Sequence, residues 1–178
     1  MGRNPVSCHS CMYLGRNPDF FRFPLKNSAG MTTYFMRSKM KFDEIEARVR
    51  FYETDEWGMV WHGYYVGWFE MGRIELARKF NLLPKQFKEL GYVAPVINLN
   101  IDYKQVTKSD EEIIIRTHFE EPKKAALKFK YEVVRKEDGE LLSKGETTQV
   151  ILTTEGKLVY LFPDELKERL MGMARYCK

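Results

Sequence analysis

Asp55 and His62 stand seven residues apart, on either side of the run Glu56-Trp57-Gly58-Met59-Val60-Trp61, which holds one glycine and no proline. A carboxylate and an imidazole at this separation can divide acid-base work. The carboxylate takes a proton from water or itself adds to an electrophilic carbon, while the imidazole positions substrate or water, or protonates the leaving group. Gly58 allows the run a backbone conformation closed to other residues. If a helix begins just beyond it, the first turn offers unpaired N–H groups and the positive end of the helix dipole. The N–H groups near Trp61 and His62 would then meet a carbonyl oxygen as it becomes an oxyanion. Removing one such donor costs on the order of 10²- to 10³-fold in rate. A plainer arrangement fits the same spacing, with Asp55 as the cap of the helix and His62 as a satisfied interface side chain. Because an ordinary aspartate, with a pKa of about 3.9, is a weak base, a catalytic Asp55 is expected to be partly buried with its pKa raised.

The elements that must hold these residues follow from periodicity. Ile45, Ala47, Val49 and Phe51 alternate with Glu46, Arg48, Arg50 and Tyr52, which predicts a half-buried strand. From about His62 to Phe80 the chain is rich in aromatic and aliphatic residues and lacks proline, which predicts a helix buried on most sides, with Gly67 and Gly72 allowing a sheet to come close. Glu70 and Arg73 also suit a surface i,i+3 pair. Pro84 to Leu90 predicts a short helix stopped by Gly91. Four strand patterns come next: Ile97 to Tyr103, Ile113 to Phe119, Leu127 to Val133, and Thr148 to Leu152, with Asp138-Gly139 as a hairpin turn between the last two. Pro163-Asp164-Glu165 opens a last short helix. The order predicts an α+β fold, a sheet wrapped around a single helix. The sheet leaves part of that aromatic helix bare, so a homodimer at least is expected, with a dimer of dimers as the larger assembly.

Charge and cysteine content exclude other classes. Residues 1–42 hold seven Lys and Arg against the single acid Asp19, which leaves positions 43–178 with 22 basic and 24 acidic residues. The body therefore lacks the positive field of a nucleic-acid binder, and any anion must be held locally. No apolar run approaches the roughly 18 residues that span a bilayer, so no membrane insertion is expected. The basic head, residues 1–40, repeats the tetrapeptide GRNP and is expected to be a disordered extension, a targeting segment or an over-extended start, appended to a domain over 41–178. Its Cys8 and Cys11 flank His9 without a second ligand pair, so no metal is expected. Three cysteines without a signal peptide suit a cytoplasmic protein.

The string FYETDEWGMVWHGYYVGWFEMGRIELARKF at 51–80 resembles the signature of the 4-hydroxybenzoyl-CoA thioesterase family, in particular its YbgC-like branch. The matching positions are Tyr52, Thr54, Asp55, Gly58, Val60, His62, Tyr65, Glu70 and Arg73. INLNIDYKQVTKSDEEIII and GKLVYLFPDEL extend the resemblance over roughly residues 42–170. It implies a hot-dog fold and hydrolysis of acyl-CoA without a cofactor. It also implies Asp55 and His62 as catalytic residues, an oxyanion site at Gly58, Trp61 and His62, and a substrate pocket at Tyr52, Trp61, Tyr65 and Glu70. Trp61 stands where the branch usually has Tyr, Gly63 where Ala or Ser is common, and Met59 where Val is common, which would reshape the acyl pocket. The phosphates of coenzyme A need cations, for which Lys123, Lys124 and Lys104 are candidates, although lysines in a loop are most often only a solvated turn. Two other readings belong to different classes: a non-catalytic module binding acyl-CoA or acyl-carrier protein, and a hot-dog dehydratase, for which neither His9 nor His118 has the expected setting.

Overall fold

The computed structural model describes residues 40–178 apart from Lys124. The GRNP repeats, Cys8, His9 and Cys11 lie outside the described residues.

The first alternating segment forms β1 (Asp43–Arg48), but it ends earlier than the pattern predicts. Phe51–Glu53 makes a 3-10 turn instead of strand, and Phe51 is 85% exposed. The cause is Glu53, whose carboxylate accepts the Arg50 N–H at 2.7 Å and closes the turn, drawing the chain out of the ladder. The central helix α1 (Tyr64–Arg78) starts two residues later than expected, because Trp61 to Gly63 are spent in a turn. A short α2 (Pro84–Glu89) opens on its proline and ends near Gly91, whose φ is +85°.

The sheet is completed by β3 (Val96–Tyr103), β4 (Glu112–Phe119), β5 (Ala126–Arg135) and β6 (Leu141–Val150). All neighbours are antiparallel in the order β1-β4-β5-β6-β3, so β3 crosses over to the far edge instead of pairing with β4. A separate two-stranded ribbon joins β2 (Tyr92–Val93) to β7 (Leu152–Thr153). The sequence pattern starts the fourth strand at Thr148 with Thr148 and Val150 on one face, whereas β6 begins at Leu141 and buries Thr147 and Gln149 instead: the polar and small residues Ser143 to Glu146 interrupt the apolar signal, and Thr147 meets the buried Tyr131 hydroxyl at 2.8 Å. Gly139 has φ +73° in the β5–β6 hairpin, as the Asp-Gly pair predicts. The C-terminal helix α3 (Asp164–Tyr176) is longer than expected and covers the end of the core with Leu166, Leu170 and Met173.

α1 packs against β1 and β4 of the sheet, burying Tyr65, Trp68, Phe69, Gly72 and Leu76. Gly72 is required there: a Cβ would overlap the Thr117 hydroxyl. Gly67 has no such role, since a side chain would meet nothing within 4 Å. Phe69 stacks on Tyr131 at 4.6 Å, and a Cβ at Gly145 would overlap the Phe69 ring. The opposite helix face is bare, with Val66 and Met71 exposed.

Candidate active site

The segment between the 3-10 turn and α1 is built by four backbone bonds. The Asp55 N–H donates to the Met59 carbonyl at 2.8 Å, and the Gly58 N–H to the Asp55 carbonyl at 3.0 Å. Gly58 has φ +72°, a conformation that disfavours any side chain. The Val60 N–H reaches the Thr107 carbonyl at 2.8 Å and the Trp61 N–H the Glu53 carbonyl at 2.9 Å, tying the turn to the loop after β3 and to its own start. Below it, the buried Tyr65 hydroxyl meets Thr107 Oγ1 at 2.9 Å, and burial raises the Tyr65 pKa. The Tyr103 hydroxyl, at the end of β3, donates to the His62 carbonyl at 3.0 Å.

Asp55 Oδ1 accepts the Trp57 N–H at 2.9 Å, so the side chain caps this turn and not the helix. Its other oxygen has no hydrogen-bond partner among the described residues. Helix α1 has Gly63 at its N-cap and no side-chain cap. Of the donors considered from sequence, the Gly58 N–H is taken by the Asp55 carbonyl and the Trp61 N–H by that of Glu53, so neither is open to an oxyanion; the His62 N–H, and that of the next residue Gly63, donate to no group among the described residues. An open carboxylate oxygen and an uncapped helix start therefore border the same turn. That pairing can activate water and stabilise an oxyanion.

Aromatic rings frame the turn. The Trp61 ring lies 4.8 Å from the exposed His62 ring and 5.8 Å from Tyr64, which meets the exposed Tyr52 edge-on at 6.2 Å. Trp61 also folds over Gly63, where any Cβ would overlap its six-membered ring. Two of the three departures from the branch pattern are thus one: a tryptophan at 61 in this pose requires glycine at 63.

The other predicted positions do not all gather here. Tyr65 is 3% exposed and turns into the core. Glu70 is exposed and pairs with Arg73 at i,i+3, but the Arg73 side chain is only 12% exposed, so one member of the pair is drawn off the surface. Lys104, just past Tyr103, is near Asp102 at 3.4 Å. Lys123 lies in the β4–β5 connection, at the opposite end of β4 from the Asp55 turn, roughly 25 Å away along an eight-residue strand; Lys124 is outside the described residues. Glu53 was missed. It is 7% exposed, and its carboxylate also faces the Trp68 indole N–H at 3.4 Å. The signal was available, as an acid next to Thr54-Asp55, but its partners Trp68 and Arg50 are revealed only by folding.

A five-stranded antiparallel sheet packed against one long helix is the hot-dog fold. Residues 49–170 match the model of the thioesterase-like superfamily, and the chain belongs to it. It is 33% identical over 122 residues to the acyl-CoA thioesterase YbgC of Haemophilus influenzae, covering 67% of this chain and 88% of that one. The sll0410 protein of Synechocystis sp. is 30% identical over 134 residues, 75% of this chain and 81% of its own. Among solved structures, the DHNA-CoA thioesterase of Staphylococcus aureus superposes with a TM-score of 0.66 at 28% identity, covering 78% of this chain and 97% of that one. The protein is a thioesterase, and its family includes enzymes that act on acyl-CoA. Among the described residues no helix is long and apolar enough to cross a membrane.

Proposed function

We propose that this chain hydrolyses acyl-CoA to the free acid and coenzyme A, as a YbgC-like enzyme, with Asp55 as general base. The observation that carries the reading is the Asp55 carboxylate, anchored through one oxygen by the Trp57 N–H and open at the other, beside the unused N–H groups of His62 and Gly63. The thioester oxygen sits toward those donors and the positive end of α1. Water gives a proton to the open Asp55 oxygen and adds to the carbonyl carbon; the oxyanion collapses, the C–S bond breaks, and Asp55 or His62 returns a proton to the thiolate. Trp61, with Tyr52 beyond it, forms the wall against which the acyl or pantetheine chain lies, and Lys104, next in sequence to the Tyr103 that bonds His62, meets a phosphate.

The working enzyme is a cytoplasmic homodimer joined through β3, with residues 41–178 as the catalytic domain and 1–40 as an appendage. β3 supports this reading because it is an edge strand with Val96, Ile97, Leu99 and Tyr103 all exposed, the surface a second copy of the same strand would cover.

Asp55→Asn keeps the shape and the Trp57 contact but cannot take a proton at neutral pH. Thiol release from short, medium, long and aromatic acyl-CoAs is expected to fall about 10²- to 10⁴-fold with every substrate. A rate near that of the wild type would remove Asp55 from the mechanism. A single turnover in ¹⁸O-water labels the acid if Asp55 acts as base; label in Asp55 itself would make it the nucleophile.

A further inference from the structure

Glu53 stands two residues before Asp55, and the proposed hydrolysis does not use it. Its side chain is buried, at 7% exposure, and no ion pair to it forms among the described residues. A buried carboxylate without a cation must be held by hydrogen bonds. Oε2 accepts the Arg50 N–H at 2.7 Å, and Oε1 faces the Trp68 indole N–H at 3.4 Å. One N–H on each oxygen suits a carboxylate and not an amide, whose NH₂ would meet one of them donor to donor.

These contacts tie three elements together at one residue. Arg50 precedes the 3-10 turn, Trp68 lies on the second turn of α1, and the Glu53 carbonyl accepts the Trp61 N–H at 2.9 Å. Residues 54–60 form a narrow antiparallel loop, in which Thr54 bridges to Val60 and the Asp55 N–H donates to the Met59 carbonyl at 2.8 Å. One arm carries the Asp55 carboxylate. The other continues into the open N–H groups of His62 and Gly63. The arms close at Glu53, which leads directly into Thr54 and Asp55 and whose carbonyl holds the residue before His62. Because Trp68 belongs to the helix that presents those donors, the Glu53 side chain also fixes the loop against α1. The separation between base and oxyanion donors is therefore set through Glu53. Small errors there are expensive, since a displacement of about 1 Å costs on the order of 10²-fold in rate.

We propose that Glu53 is a positioning residue of the thioesterase reaction: its carboxylate touches neither substrate nor the attacking water, and it fixes the His62 and Gly63 N–H groups relative to the open Asp55 oxygen for the tetrahedral state. This rests on the Asp55 reading and on the oxyanion role of the helix start. Its effect falls on the transition state more than on substrate binding, because the neutral thioester oxygen tolerates a displacement of the donors that the developing oxyanion does not.

In the full-length chain, Glu53→Ala is expected to lower kcat for octanoyl-CoA about 10- to 100-fold, with KM within about twofold of wild type. Glu53→Gln keeps the volume and one acceptor, so its kcat is expected to fall only about three- to tenfold; it carries the test if Glu53→Ala fails to fold by circular dichroism. Two inhibitors separate positioning from a general loosening of the site. Trifluoroacetonyl-CoA, a ketone that hydrates to a tetrahedral diol, is expected to bind each variant more weakly by the factor lost in kcat/KM. S-propyl-CoA, a thioether without a carbonyl, is expected to bind as it does to wild type. An unchanged ketone affinity, equal weakening of both inhibitors, or a wild-type kcat in the folded variants overturns the proposal. The fall in rate at acid pH is expected to persist in Glu53→Gln, because Asp55 takes the proton; a profile that loses this fall would make Glu53 the base and overturns the positioning role as well. Asp55→Asn with a wild-type rate overturns the Asp55 reading instead, and the inhibitor pair then still decides whether Glu53 orders the oxyanion donors.

Discussion

β1 and β3 are the two edges of one sheet, and they manage their unpaired backbone groups in opposite ways. β1 reads Asp-Glu-Ile-Glu-Ala-Arg, with Glu44, Glu46 and Arg48 exposed and engaged with Arg116, Lys136, Asp110 and Glu112. Ion pairs of this exposed kind contribute little to stability, but charge along an edge discourages a further strand from adding to it. β3 reads Val-Ile-Asn-Leu-Asn-Ile-Asp-Tyr and is open along nearly its whole length, with Ile97 61% exposed. Charge on one edge disfavours a further strand there, while the aliphatic residues left on the other are what the proposed second copy would cover. The proposed catalytic turn follows the same asymmetry: the Tyr103 hydroxyl of β3 bonds the His62 carbonyl, while β1 leads into the 3-10 turn whose Glu53 carbonyl accepts the Trp61 N–H.

The largest expected effect comes from making β3 resemble β1. Ile97→Lys is expected to leave a folded chain but to weaken self-association on the order of 10²-fold, read by analytical ultracentrifugation, with thioester hydrolysis lost along with the dimer. A variant that stays dimeric would place the interface elsewhere. A smaller effect is expected beneath that edge. Gly145→Ala, on β6 beside Ile101 of β3, pushes a methyl group into Phe69 and should cost about 1–3 kcal/mol in urea denaturation, since packed cores resist added volume. The smallest belongs to β1: Glu44→Ala breaks the pair with Arg116 at 2.8 Å and should change stability by less than about 1 kcal/mol, with the oligomeric state untouched. A change of assembly on this substitution would show that β1 is not the inert edge.

Much of this was legible along the chain. The alternation at Ile113 to Phe119 and Leu127 to Val133 reports a sheet with one buried face, and Asp138-Gly139 marks the hairpin by its need for positive φ. The ordered set Tyr52, Thr54, Asp55, Gly58 and His62 marks the turn, because its residues are near neighbours in sequence and a local pattern can specify them. Where reading failed, the cause was local as well. Phe51 continues the alternation of β1, but the hydrogen bond from the Arg50 N–H to Glu53 ends the strand first. The start of β6 was hidden because both its faces carry polar residues.

By itself the sequence determined most element types, the buried faces of β4 and β5, the Gly58 turn and the presence of a carboxylate just ahead of a helix. All of these depend on residues within a few positions of one another. Only the tertiary structure decided that β3 takes the far edge beside β6, that Thr107 and Glu53 hold the turn, that the Trp61 N–H is occupied while those of His62 and Gly63 are not, and that an apolar cavity lies at the other end of α1. Those facts rest on groups brought together from distant parts of the chain. Periodicity can state that a side chain is buried, but packing alone selects what it is buried against.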